Sequence, residues 1–246
     1  MDLRMSGAPA LRAVSFDAAG TLFHPVRPVG ALYAEVAARH GVHVAPADLH
    51  ARFHRAFGAA PPLAFPGAPA EALRAHERAW WRAVVADVFR DVAVADFDAF
   101  FGDLFAFFAS PATWRLDPAA LPLLSRLQAR GTRVLVVSNF DHRVRGILAG
   151  LEIAPLIEHV TISSEAGAAK PDPAIFRVAL AAAGLAPAEV VHVGDTVRED
   201  LAGARAAGIA VLLVGDATLA AAAPDAPLVL DLAAAGAWLV ARLPRA

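Results

Sequence analysis

A chain of 246 residues with a formal net charge of −2 has room for one large domain or two modest ones, with ample core. Its hydrophobic fraction is 57%, but much of that is alanine, and no window reaches the roughly 18 strongly apolar residues of a membrane-spanning helix. The near-neutral charge gives no reason to expect nucleic acid or an anionic membrane as a partner, and the absence of cysteine excludes disulfides, thiol nucleophiles and thiolate metal sites.

The opening Met1-Asp2-Leu3-Arg4-Met5-Ser6-Gly7 lacks the basic-then-apolar order of a secretory signal, so a soluble cytoplasmic protein is expected. Monomer and homodimer both fit the sequence. Of 22 basic residues, 21 are arginine; the single lysine is Lys170.

The run Val14-Ser15-Phe16 reads as a buried parallel strand that delivers Asp17 to its C-terminal end, with Gly20 punctuating the turn beyond. Residues 23–28 contain two prolines and are expected to be a turn. From about 28 to 110 only helical pattern follows. Val29, Leu32, Tyr33 and Val36 share one face, and Leu49, Phe53 and Phe57 are spaced four apart. A long helix carries Leu73, Trp80, Trp81, Val84, Val85 and Val88, and a phenylalanine-rich one runs from about 96 to 109.

Beyond Ser110-Pro111 helices and strands alternate. Helices are expected over 118–130, 142–150, 174–183 and 201–207. Strands are expected over 134–137, 160–163, 190–193 and 209–214, with a short last one at 228–230. Such spacing implies βαβ units and a parallel sheet. The expected architecture is therefore a doubly wound α/β core, residues 1–23 and 111–246, with an all-helical cap at 24–110 inserted after the first strand.

Polar clusters follow the apolar strands: Asp17, Ser138-Asn139, Lys170, and Gly194-Asp195 with Asp200. In one parallel sheet these ends and loops converge on a single edge. They combine a nucleophilic carboxylate, a hydroxyl and amides for an oxyanion, a cation and two further carboxylates. That set suits phosphoryl transfer, in which positioning and charge neutralisation carry most of the catalysis. Attack by a carboxylate divides the reaction into two steps, and Mg²⁺, which prefers oxygen ligands, offsets charge on the phosphoryl oxygens.

In these residues the chain resembles the haloacid dehalogenase (HAD) superfamily of aspartate-nucleophile hydrolases. Phe16-Asp17-Ala18-Ala19-Gly20-Thr21 resembles the family's first motif, D-x-D-G-T. Val137-Ser138-Asn139 is similar to the second, and Lys170-Pro171-Asp172-Pro173 to the third. Gly194-Asp195-Thr196-Val197-Arg198-Glu199-Asp200 is similar to the fourth, and the helical insertion sits where the family places its cap. Tyr33, Gly41 and Trp80-Trp81 look most like the rhythmically-expressed-gene-like branch, which implies no particular substrate.

The resemblance implies that Asp17 is the nucleophile and that Thr21 orders its loop. Ser138 and the Asn139 backbone would hold the phosphoryl group of a small phosphorylated substrate, and Lys170 would balance its charge. Mg²⁺ would be bound by Asp17, the Ala19 carbonyl and Asp195, while Asp200 would bind it through water or orient Lys170.

One position departs from the pattern. Ala19 stands where the family's phosphatases carry a second aspartate, the general acid/base, whose loss typically costs about 10²–10⁴ in rate. Weak activity is the consequence expected; His24, in the turn just beyond, is either a substitute acid or, the simpler reading, a solvated turn histidine. Two other readings stay open: a metal-independent 2-haloacid dehalogenase-like hydrolase, and a non-catalytic protein that binds a phosphorylated ligand. The retained Asp195 and Asp200 weigh against the first, because unpaired buried carboxylates are costly; the intact Asp17 and Lys170 weigh against the second. The cap phenylalanines read as core, His192 as a hydrogen-bonded core residue, and His50 and His54 as part of a polar helix face. Residues 57–67 are candidates to reach the active site from the cap.

Overall fold

The computed structural model describes residues 11–243; the opening Met1–Gly7, read above as no secretory signal, lies outside them. Six parallel strands form the central sheet: β1 (Ala13–Phe16), β4 (Arg133–Ser138), β5 (His159–Ile162), β6 (Val190–Gly194), β7 (Ala210–Val214) and β8 (Leu228–Val229). Their spatial order is β5-β4-β1-β6-β7-β8. The chain runs outward from β1 through β4 to β5, then crosses back to β6 on the other side. The order therefore reverses at β1, and in open α/β sheets ligands bind beyond the carboxyl ends of the strands at such a point.

Strands buried on both faces need apolar residues at every position, and the period of two splits them between two layers. Val134 and Val136 of β4 pack with Val14, Phe16, Leu124, Ile147 and Leu239 on one face. Leu135 and Val137 pack with Ile175, Phe176, Leu180 and Leu213 on the other. Helices α5 (Ala120–Gln128), α6 (Arg143–Gly150) and α11 (Leu232–Val240) cover the first face. Helices α8 (Pro173–Ala183) and α9 (Gly203–Ala206) cover the second.

Between β1 and β4 the chain forms α1 (Val29–Arg39), α2 (Pro46–Ala59), α3 (Ala70–Val88) and α4 (Phe97–Ala109). These four pack around their own apolar centre of Tyr33, Val36, Leu49, Val85, Phe89, Phe100 and Leu104. Asp96 caps α4 by accepting from the Ala99 N–H at 3.0 Å, which satisfies one of the helix's free amides.

Three local expectations are corrected. The stretch expected to be a turn begins with β2 (Phe23–Pro25), which pairs antiparallel with β3 (Trp114–Leu116), Phe23 opposite Leu116 and Pro25 opposite Trp114. A residue before proline favours extended backbone, so His24-Pro25 starts a strand as readily as it ends one. The helix expected from 201 is preceded by a π-type turn over Val197–Ala202, in which the Leu201 N–H reaches the Thr196 carbonyl at 3.1 Å. Helices α7 (Ser163–Ala166), α10 (Ala217–Ala222) and α11 were not expected; α10 and α11 are rich in alanine, which blurs their apolar periodicity. Among the described residues no helix is long and apolar enough to cross a membrane.

Candidate active site

Asp17 leaves the tip of β1 with its N–H bonded to the Val193 carbonyl at 2.9 Å, so the sheet ladder itself fixes where its side chain emerges. The chain then folds over the Ala18 carbonyl, which accepts from the N–H groups of Leu22 (2.8 Å) and Phe23 (3.2 Å). This turn needs Gly20, whose φ is +109°. Thr21, which follows, donates its hydroxyl to Asp195 Oδ1 at 3.1 Å, so it ties the first loop to the one after β6.

Lys170 is 4% exposed, and its Nζ donates to Asp17 Oδ1 and to Asp200 Oδ1, both at 2.6 Å. Its backbone is clamped from β4: Lys170 N–H donates to Asn139 Oδ1 at 2.7 Å, and Asn139 Nδ2 donates to the Lys170 carbonyl at 2.9 Å. This use of the Asn139 side chain escaped the sequence reading, which considered only its backbone. Ser138 is buried at the end of β4, immediately before that clamp.

Asp200 is 1% exposed. Besides Lys170, its Oδ1 accepts from His192 Nε2 at 3.0 Å, while Oδ2 accepts from the Thr196 N–H (3.0 Å) and the Thr196 hydroxyl (2.7 Å). The π-type turn brings this side chain back toward Thr196, and Gly194 leaves it room, since a Cβ there would lie 2.3 Å from Asp200 Cγ. Single π turns recur at functional sites for this kind of re-aiming.

Electrostatics set Asp195 and Asp200 apart. Burial pushes the Asp195 carboxyl up, and the nearby charges of Asp17 and Asp200 add to it, to about 7. Burial acts the same way on Asp200, but the Lys170 ammonium and the His192 hydrogen bond outweigh it and hold this carboxyl well below the usual range. Burial would lower Lys170, yet Asp17 and Asp200 outweigh it and keep the amine charged. Glu199, which has no role assigned from the sequence, is a further carboxylate pushed up by burial beside this cluster.

Asp17, Asp195 and Asp200 offer oxygens that all lie within 4.8 Å of one another. Three carboxylates against one ammonium leave excess negative charge, and an all-oxygen donor set suits a hard divalent cation. The residues present therefore fit Mg²⁺. Asp200 differs from the other two, because its four lone-pair positions already accept four hydrogen bonds.

The helical insertion meets the sheet domain through buried polar contacts. Glu77 of α3 is 0% exposed and accepts from the Ser164 hydroxyl (2.6 Å), the His142 N–H (3.2 Å) and the His142 ring. Trp81 Nε1 donates to Asp141 Oδ2 at 2.6 Å, and Arg143 makes a two-pronged pair with the same carboxylate at 2.6 and 2.8 Å. Glu77, Asp141 and His142 also lie within 4.8 Å of one another, but these partners already engage them. Beside this seam a cavity of about 80 Å³ is walled by Tyr33, Phe53, Trp81, Phe105, Trp114 and Phe140 among others. Several phenylalanines of the helical insertion thus face a void as well as a core.

Within 57–67, Pro66 packs against Gly167, three residues before Lys170. His24 lies on β2, 3.9 Å from Asp117. Burial and the charge of Arg115 lower its pKa against the opposing pull of Asp117. The rings of His50 and His54 sit 4.4 Å apart and, among the described residues, belong to no group of three metal-ligating side chains.

The family profile of haloacid dehalogenase-like hydrolases matches residues 11–208. The chain is 36% identical over 208 residues to the haloacid dehalogenase-like hydrolase domain-containing protein 3 of Bos taurus, covering 83% of this chain and 82% of that protein. It is 38% identical over 110 residues to the phosphoserine phosphatase of Thermus thermophilus, 44% of each chain. In fold it is similar to the L-2-haloacid dehalogenase of Xanthobacter autotrophicus, with a TM-score of 0.71 at 19% identity over 95% of this chain and 100% of the other.

Proposed function

Because the chain belongs to the haloacid dehalogenase-like hydrolase family, we propose that it hydrolyses a small phosphate monoester through an aspartyl-phosphate on Asp17. The observation that carries this reading is the placement of the Lys170 ammonium 2.6 Å from both Asp17 and Asp200, with Asp195 completing a carboxylate cluster. The phosphoserine phosphatase relative supports the choice of a phosphate ester. Residues 24–110 are assigned as the cap, and 1–23 with 111–246 as the core.

Asp17 supplies the nucleophilic oxygen: its bond to phosphorus forms as the ester P–O bond breaks, and the departing alkoxide takes a proton from solvent. Water then adds to phosphorus, the Asp17–phosphorus bond breaks, and inorganic phosphate leaves. Lys170 faces the reacting carboxylate and balances the phosphoryl oxygens, held by Asn139 at its backbone and Asp200 at its ammonium. Ser138 and the Asn139 N–H supply hydrogen bonds to the same group. Asp17, the Ala19 carbonyl and Asp195 would hold Mg²⁺, which when bound supplies positive charge against the phosphoryl oxygens. Asp200 orients Lys170. With Ala19 in place of a carboxylic acid, good leaving groups are favoured over poor ones.

The test is a panel of phosphate monoesters assayed with and without Mg²⁺, beside 2-chloropropionate. Mg²⁺-dependent phosphate release that disappears in Asp17→Asn is expected. Metal-independent chloride release would replace this reading with a dehalogenase. Silence in both assays with retained vanadate binding would replace it with a binding protein.

A further inference from the structure

His192 is 0% exposed in the middle of β6, in a strand whose other side chains are valines, and it faces Ser15 of β1 directly across the ladder. Both belong to the sheet face covered by Phe176, whose ring meets the imidazole edge-on at 4.9 Å. An apolar pair would fill this place at no desolvation cost, whereas a buried imidazole must have partners. It has two: Nδ1 lies 2.9 Å from the Ser15 hydroxyl, and Nε2 lies 3.0 Å from Asp200 Oδ1.

We propose that His192, backed by Ser15, is a positioning residue for the reaction, acting through Asp200 on the Lys170 ammonium. This rests on the reading of Lys170 as the cation that balances the phosphoryl group. The carboxylate can only accept, so Nε2 carries the proton that meets Asp200, and the Ser15 hydroxyl is the hydrogen-bond partner of Nδ1. The result is an unbroken buried chain, Ser15 to His192 to Asp200 to Lys170 to Asp17, with heavy-atom separations of 2.9, 3.0, 2.6 and 2.6 Å.

Its purpose follows from the reaction. Once Asp17 is phosphorylated its carboxyl no longer offers Lys170 a full charge, and Asp200 is the carboxylate left to aim the ammonium at the phosphoryl oxygens. Thr196 holds one oxygen of Asp200, and His192 holds the oxygen that Lys170 uses. Without the imidazole N–H that oxygen is free to swing, and the ammonium swings with it. Of the three N–H donors on Lys170, two are taken by Asp17 and Asp200, which leaves one for a ligand oxygen.

The single lysine makes the test direct. A ¹H–¹⁵N spectrum tuned to lysine ammonium groups contains one side-chain resonance, from Lys170, and reads its surroundings without substrate or metal. His192→Phe, which keeps the ring against Phe176, is expected to shift or broaden that resonance and to lower kcat about tenfold with KM little changed. His192→Gln, which restores a donor toward Asp200, should recover both. Ser15→Ala should move the resonance less, in the same direction, and add nothing in the His192→Phe background. Thr161→Val, an isosteric change at a buried hydroxyl with no partner among the described residues, should leave both readouts unaltered.

Should His192→Phe fail to fold, His192→Leu, which also removes the donor from a strand of valines, takes its place beside Ser15→Ala. An ammonium resonance and kcat indifferent to every folded variant at these two positions would overturn the proposal. A responsive resonance in a protein that hydrolyses no phosphate ester would leave the positioning chain standing and remove the phosphatase reading instead.

Discussion

Gly20 and Asp195 meet so closely that a Cβ on the glycine would stand 2.6 Å from the carboxylate Oδ2. The glycine thus serves two demands at once, a φ of +109° and an empty side facing the acid. Gly20→Ala is expected to lose roughly 1–3 kcal/mol from backbone strain alone. It should also displace Asp195, so thermal melts should show lowered stability and calorimetry should show weakened Mg²⁺ binding. A variant with native affinity for Mg²⁺ would show that Asp195 does not need its present place.

Asp195 also gives a pH signature in protein stripped of divalent cations. The unfolded chain releases this proton near 3.8 and the folded chain near 7, because burial and the charges of Asp17 and Asp200 favour the neutral acid. Between those values the folded state binds more protons, so this group's contribution is full below the lower value and is lost as pH rises through the higher one. The slope is at most about 1.4 kcal/mol per pH unit. Urea midpoints of wild type and Asp195→Asn should diverge across that window, and parallel curves would refute the assignment.

Ala19 marks the missing acid. Ala19→Asp is expected to raise the hydrolytic rate, toward the roughly 10²–10⁴ that a positioned acid/base contributes. The gain should be larger for alkyl phosphates than for p-nitrophenyl phosphate, whose leaving group departs without a proton. No gain would mean that another group protonates the leaving oxygen, and equal gains would place the effect of the new carboxyl in hydrolysis of the shared aspartyl-phosphate instead.

Glu77 anchors the helical insertion. Glu77→Ala leaves the Ser164 hydroxyl and the His142 amide without their acceptor, and each buried orphan costs about 1–3 kcal/mol. Lower thermal stability and faster proteolysis of residues 24–110 are expected, with Glu77→Gln milder. A variant as stable as wild type would show that the apolar contacts alone seat the insertion.

How much of this was written legibly in the chain depends on distance along it. Runs such as Val134-Leu135-Val136-Val137 declare a doubly buried strand, because both faces demand apolar residues at successive positions. The acids and the lysine were legible because each directly follows such a strand or its adjoining loop. The Asn139 clamp on Lys170 was not, since a side chain reaching a backbone 31 residues away has no local pattern. Nor was the role of His192, whose polarity in a valine strand marked it as partnered without naming the partners. The π-type turn over Val197–Ala202 was not legible either, where the helix is expected to begin only at 201, because π and α turns differ in backbone pairing rather than in residue type. Helix α11 hid behind alanine, although Leu232, Ala235 and Leu239 do form a buried stripe.

The β2–β3 ribbon bears on the protein's architecture as a building block. Pro25 and Trp114 stand opposite each other in register, so the point of departure and the point of return are already neighbours. A reverse turn of about 2–5 residues spliced between them would close a hairpin and delete the intervening helices without threading or reordering a single strand of the sheet. Such a minimal scaffold would keep every polar side chain that converges at the tip of β1, with Asp17, Lys170, Asp195 and Asp200 all outside the excised segment.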